Sequence, residues 1–202
     1  MSKAQTARAR PTGSLDAGQH NTWESGASFS LGHRVYRLTW GVIWLLLASW
    51  TPPPLHPWRR VLLRAFGAKV AATAGIYGTA RIWSPANLEV GHYAFIGPKV
   101  NVYSMARVIF EPYSLASQGA HLCAGTHDIS DPKFQLIAAP IRVCERAWVA
   151  AEAFVGPGVT VGEGAVLGAR GCAFNDLEAW TVYAGNPATA LKKRVLRDAQ
   201  TG

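Results

Sequence analysis

Residues 143–173, VCERAWVAAEAFVGPGVTVGEGAVLGARGCA, decide the fold. Within them an apolar residue returns at every sixth position: Val143, Val149, Val155, Val161, Leu167, Ala173. Working outward toward the N-terminus, the same period runs through Val70, Ile76, Ile82, then Val90, Ile96, Val102, then Phe110, Ala116, Leu122. Four residues after each apolar position stands a small or short side chain in fourteen of fifteen cases, with Leu177 after Ala173 as the exception. A period of six fits neither an α-helix nor a single strand, but it fits a triangular coil in which each hexad is a short strand plus a corner. The first residue points inward, the small one fits where two faces meet, and a Gly such as Gly97, Gly156 or Gly162 follows the inward residue where the backbone turns. Three hexads close one coil, and coils stack at a β spacing of about 4.8 Å, so each buries its inner face against the next. Fifteen hexads predict about five coils of an all-β parallel solenoid.

The interruptions carry as much information as the period. Two extra residues, Leu88-Glu89 and then Val108-Ile109, separate the first three coils, and residues 128–142 separate the third from the fourth. A long insertion inside a packed repeat must leave it as a loop, and such loops are usually functional, so residues 127–142 are the first place to seek chemistry. Ahead of the solenoid, residues 38–50 (LTWGVIWLLLASW) hold no charge and are flanked by Arg34 and Arg37 on one side and three prolines on the other. About 13 apolar residues are too few for a helix to span a bilayer, which takes about 20. Two readings stay open: a helix packed on the solenoid or a neighbouring subunit, or an interfacial anchor with Trp40, Trp44, Trp50 and Trp58 at headgroup level. The chain divides into a disordered tail (1–28), an amphipathic segment (29–66), the solenoid (67–187), and a short basic C-terminal helix with its tail (188–202).

Net charge is +8, split unevenly. Residues 1–69 hold nine Lys/Arg against two acids, residues 70–187 seven against nine, and residues 188–202 four against one. A nearly neutral repeat region speaks against nucleic acid as partner and favours anionic lipid at the N-terminus and a phosphorylated ligand at the C-terminus. Three cysteines without Cys-x-x-Cys spacing argue against a disulfide framework and for a reducing, cytoplasmic setting.

The hexads, residues 125–132 (GTHDISDP), 153–162 (AFVGPGVTVG) and 184–188 (AGNPA) resemble the hexapeptide-repeat acetyltransferases. The Trp-rich segment and residues 62–68 (LLRAFGA) make the chain most similar to those of colanic acid biosynthesis. The resemblance implies a left-handed β-helix, a homotrimer, and acetyl-CoA lying between neighbouring subunits. It implies an O-acetyltransferase acting on a saccharide of an exopolysaccharide precursor, without a metal; the charge split and the Trp-rich segment add the expectation of a lipid-linked acceptor at the inner face of the cytoplasmic membrane, with peripheral membrane contact. His127 stands where the family has its catalytic histidine. An imidazole suits proton removal from a sugar hydroxyl, with Asp128 and Asp131 near to orient the ring. Coil arithmetic sets Arg107 beneath His127, and Tyr103 and Ser104 beneath Cys123 and Ala124. Asn101, Tyr103, Ser104 and Asp131 are the acceptor-side candidates. Ala151 and Ala169 are the small residues along which pantetheine would lie, and Lys192, Lys193 and Arg194 are the candidates for CoA phosphates. Phe174-Asn175 departs from the Thr-Lys common among relatives. Cys123 reads as a core thiol.

Two other classes compete. A zinc enzyme of the γ-carbonic anhydrase type would need His92, His121 and His127 to converge, and a non-enzymatic scaffold would need none of them.

Overall fold

The computed structural model describes Trp23 and residues 28–196; the expected N-terminal tail lies almost wholly outside the described residues. Three parallel sheets form the faces of a triangular solenoid. The first stacks Val70, Val90, Phe110, Val143 and Val161 in one inward column. The second stacks Ile76, Ile96, Ala116, Val149, Leu167 and Tyr183. The third stacks Ile82, Val102, Leu122, Val155 and Ala173. Nearly every one of these side chains is buried to within a few per cent. A fully buried Val, Leu or Ile contributes about 1.5–3 kcal/mol, so the columns carry the stability of the stack.

The exception in the period has a physical reason. Leu177 is buried and bridges to Val161, which makes it the first inward residue of a partial sixth coil rather than a misfit in the fifth. The turn chemistry also differs from the sequence reading. The left-handed residue sits three positions after the inward one, at Tyr93, Lys99, Tyr113, Arg146, Glu152, Arg170 and Trp180, and at Gly158 and Gly164. The glycine directly after the inward residue serves close approach instead: a Cβ on Gly162 would lie 2.6 Å from the Leu177 carbonyl oxygen.

All three interruptions fall at one corner, where the third face passes to the first. There Leu88, Val108 and Ile141 stack as an additional fully buried column. Ser84, Ser104 and Ala124 are buried at the same corner, while the hexad positions Ala86, Ala106 and Thr126 are displaced outward. The long insertion does not run as an irregular loop. Gly125–His127 pairs antiparallel with Leu136–Ala138, so the chain leaves the solenoid as a β-hairpin and returns to register at Ile141.

The N-terminal segment forms two helices, α1 (Leu31–Leu47) and α2 (His56–Ala65). They close the open end of the first coil, whose carbonyls have no coil beneath them. Trp40 Nε1 donates to Ile82 O (2.7 Å), Trp44 Nε1 to Gly78 O and Ala80 O (both 3.0 Å), Arg60 to Ala74 O (2.8 Å) and Arg64 to Val70 O (2.6 Å). Arg59 is fully buried and donates to Ile76 O, Thr51 and the Pro52 carbonyl. Trp40 and Trp44 therefore face the solenoid and not a headgroup layer. At the other end the structure corrects the expected C-terminal helix: Thr189–Lys193 is a strand, antiparallel to Thr181–Ala184. The exposed edge of the second face offers unpaired backbone groups, and pairing with them outweighs the helix propensity of Leu191, Lys192 and Lys193.

Candidate active site

His127 is the last residue of the outgoing hairpin strand and is half-buried. Its ring stacks on Phe134, centroids 4.5 Å apart and planes 10° from parallel. Nδ1 lies 2.8 Å from the Phe134 carbonyl oxygen. A carbonyl only accepts, so Nδ1 carries the proton and a neutral ring presents an unprotonated Nε2. A turn between Asp131 and Phe134, with Phe134 N donating to Asp131 O (2.7 Å), holds that carbonyl in place. Phe134 itself adopts a φ of 49°.

The acids do not orient the ring. Asp128 Oδ1 accepts from Ser130 N (2.9 Å) and Asp131 Oδ1 from Lys133 N (2.8 Å), so both carboxylates shape the hairpin tip. The orienting group is the Phe134 carbonyl, which sequence reasoning missed because a main-chain oxygen leaves no residue-type signal. Arg107 is not beneath His127 either. The chain departs from the stack after Ala124, Ile141 N donates to Arg107 O, and the Arg107 side chain pairs with Glu89 at 3.3 Å.

Tyr103 and Cys123 are register neighbours on the outer side of the third face, and the Cys123 thiol lies 3.2 Å from Gly125 O at the base of the hairpin. Cys123 thus points outward rather than into the core. Tyr103 packs edge-on to Trp83, over which Arg37 lies at 4.2 Å, and burial together with Cys123 pushes its phenol above the ordinary value. Asn101 Nδ2 is 3.2 Å from His121 Nε2, farther back on the same face. Ser104 is fully buried, and its hydroxyl donates to Ser84 O (2.9 Å) and accepts from Ser84 N (3.0 Å), so it braces the corner and offers nothing to a ligand. The trio His92, His121 and His127 does not converge: His92 bonds Thr73, His121 meets Asn101, and His127 is on the hairpin.

Ala151 and Ala169 occupy adjacent coils at the corner between the second and third faces, where Arg170 N donates to Ala151 O (2.9 Å). Ala151 is half-buried and Ala169 exposed, and beside them Arg170 bridges Glu152 at 2.6 Å. Lys192 and Lys193 pair with Val182 and Thr181, at the opposite edge of the second face, about 10 Å along the strand from Ala169. Lys193 bonds Thr181 Oγ1 (2.9 Å) and Glu178 (3.3 Å), and Arg194 donates to Arg146 O and Gly164 O. Within one chain the histidine, the alanine corner and the lysines therefore stand at three different corners.

No family model matches the chain. It is 38% identical over 167 residues to the protein named colanic acid biosynthesis acetyltransferase WcaF in Escherichia coli (strain K12), covering 83% of this chain and 92% of that one. The chain belongs to the hexapeptide-repeat acetyltransferases of the colanic acid biosynthesis type. Solved structures with the same fold include a maltose O-acetyltransferase from Clostridium difficile 630, with TM-score 0.75 and 19% identity over 83% of this chain and 90% of that one. A hexapeptide-repeat acetyltransferase from Vibrio cholerae O1 biovar eltor, crystallised with acetyl coenzyme A, gives TM-score 0.73 and 18% identity over 81% of this chain and 90% of that one. The architecture is accordingly the left-handed parallel β-helix of this family, and the chain is an acyltransferase.

Proposed function

We propose that the protein transfers an acetyl group from acetyl-CoA to a hydroxyl of a saccharide, within a homotrimer whose sites lie between neighbouring solenoids. The observation that carries the reading is the hydrogen bond from His127 Nδ1 to the Phe134 carbonyl, 2.8 Å, which leaves Nε2 with a free lone pair at the tip end of the paired hairpin strands. His127 Nε2 takes the proton from the acceptor hydroxyl as its oxygen bonds the acetyl carbon. The C–S bond breaks, and His127 returns the proton to the departing sulfur, giving an acetate ester and free CoA thiol. The imidazolium formed in between keeps its Nδ1–H bond to the carbonyl, so the ring stays oriented through the cycle.

Where the parts stand supports the trimer. The small side chains of Ala151 and Ala169 leave one corner flat enough for a pantetheine arm, while His127 is at another; a neighbouring copy brings the two together. Tyr103 and Asn101 line the third face beside the hairpin and are assigned to the acceptor. Lys192 and Lys193 are assigned to the CoA phosphates. The acceptor is a lipid-linked exopolysaccharide unit at the inner face of the cytoplasmic membrane, a reading supported by the kinship with WcaF.

The test is acetyl-CoA turnover over a panel of free sugars and a lipid-linked oligosaccharide extract, with wild type and His127→Ala. Acceptor-stimulated thiol release that falls at least about a hundredfold in the variant supports the proposal. Release that no acceptor stimulates, or that ignores the substitution, refutes it.

A further inference from the structure

Helix α1 has two faces, and the solenoid accounts for one. Trp40, Trp44 and Ala48 form its buried stripe. The opposite side carries Leu31, Val35, Leu38, Val42, Leu45 and Leu46 at helical spacing, each between 46% and 72% exposed, and Trp50 extends the stripe past the helix end at 72%. A stripe of this kind normally lies against something.

The surrounding charge identifies the partner. From residue 28 to residue 88 the chain has seven Arg and Lys and no Asp or Glu. The guanidinium groups of Arg59, Arg60 and Arg64 bond backbone carbonyls, which carry no net charge, so their positive charge stays uncompensated. Among the described residues, Lys69 alone of these seven meets a carboxylate, on Glu89. A second copy docked by the same face would bring like charges together, the exposed Arg34 among them, with no acid between residues 28 and 88 to offset them. Anionic phospholipid instead offers acyl chains to the leucines and phosphates to the exposed Arg34. Among the described residues no helix is long and apolar enough to cross a membrane, and α1, with 17 residues, is about 25 Å long.

We propose that the outer face of α1, continued by Trp50, is a docking surface on which the protein lies flat against bilayers containing anionic phospholipid. The proposal rests on the helix and its charge and stands independently of the acetyl-transfer reading. The full-length protein is tested by flotation with phosphatidylcholine vesicles, with and without phosphatidylglycerol. Wild type binds the anionic vesicles and not the neutral ones, Leu38→Ser/Leu45→Ser lowers that partition at least about tenfold, and Arg34→Gln lowers it about fivefold. Both variants replace exposed side chains, and circular dichroism and melting should match wild type. Turnover of a water-soluble acceptor should also be unchanged. Wild type that floats with neither vesicle, or a leucine variant that binds as well as wild type, overturns the proposal. A leucine variant with a changed mass in solution also overturns it, because that assigns the face to a second copy.

Discussion

At the scale of single residues, His127 differs from the other histidines of the solenoid by the group that fixes its tautomer. With Nδ1 bonded to Phe134 O, nitrogen-15 NMR is expected to find the neutral ring protonated at Nδ1 and bare at Nε2; the reverse tautomer would contradict the proposed role as base. His121 makes a different prediction. Burial holds its imidazole below the ordinary value of 6.5, and Nε2 accepts from Asn101. The folded chain therefore binds fewer protons than the unfolded chain as pH falls past that value, and stability drops across the interval. His121→Gln should give a shallower fall in Tm between about pH 7 and pH 5. His33 and His56, which burial also lowers, contribute in the same direction. The histidine was legible in the sequence as a residue type at a loop mouth. Its orienting carbonyl was not, because a main-chain oxygen is supplied by the fold of the hairpin tip rather than by the identity of Phe134.

Elements repeat the lesson in both directions. The inward columns were readable because one position in six must be apolar and the next corner small, whatever else the chain does. Corners with extra residues broke that logic: Leu88, Val108 and Ile141 took the buried places, and Ala86, Ala106 and Thr126 lost them. The C-terminal strand was misread as a helix because edge pairing is a long-range term that local propensity does not contain. Two substitutions test this level. Gly162→Ala would set a methyl 2.6 Å from the Leu177 carbonyl oxygen, a backbone atom that cannot swing away, and should destabilise by about 1–3 kcal/mol in a denaturant titration. Arg59→Ala removes the bonds to the Ile76 and Pro52 carbonyls and leaves a cavity under the first coil, and should cost about 3 kcal/mol, measured the same way. Loss of less than about 0.5 kcal/mol would mean that α2 is not a cap on the first coil.

The whole molecule is an end-capped stack whose proposed functional parts do not meet within one copy. Helices α1 and α2 satisfy the carbonyls of the first coil, the strand Thr189–Lys193 covers an edge at the last, and the hairpin leaves from the one corner where insertions accumulate. His127 is at that corner, whereas the Ala151–Ala169 corner is across the third face. Complementation between copies tests the consequence most directly. His127→Ala removes the proposed base, and Ala169→Trp fills the small-residue corner with a bulky ring on an exposed position; each variant alone should be inactive. Mixed assembly of the two at equal amounts should restore acetyl transfer to about a quarter of wild type, since in a randomly mixed trimer about one interface in four joins an intact histidine to an intact alanine. A mixture as inactive as its parents would contradict a site shared between neighbouring solenoids.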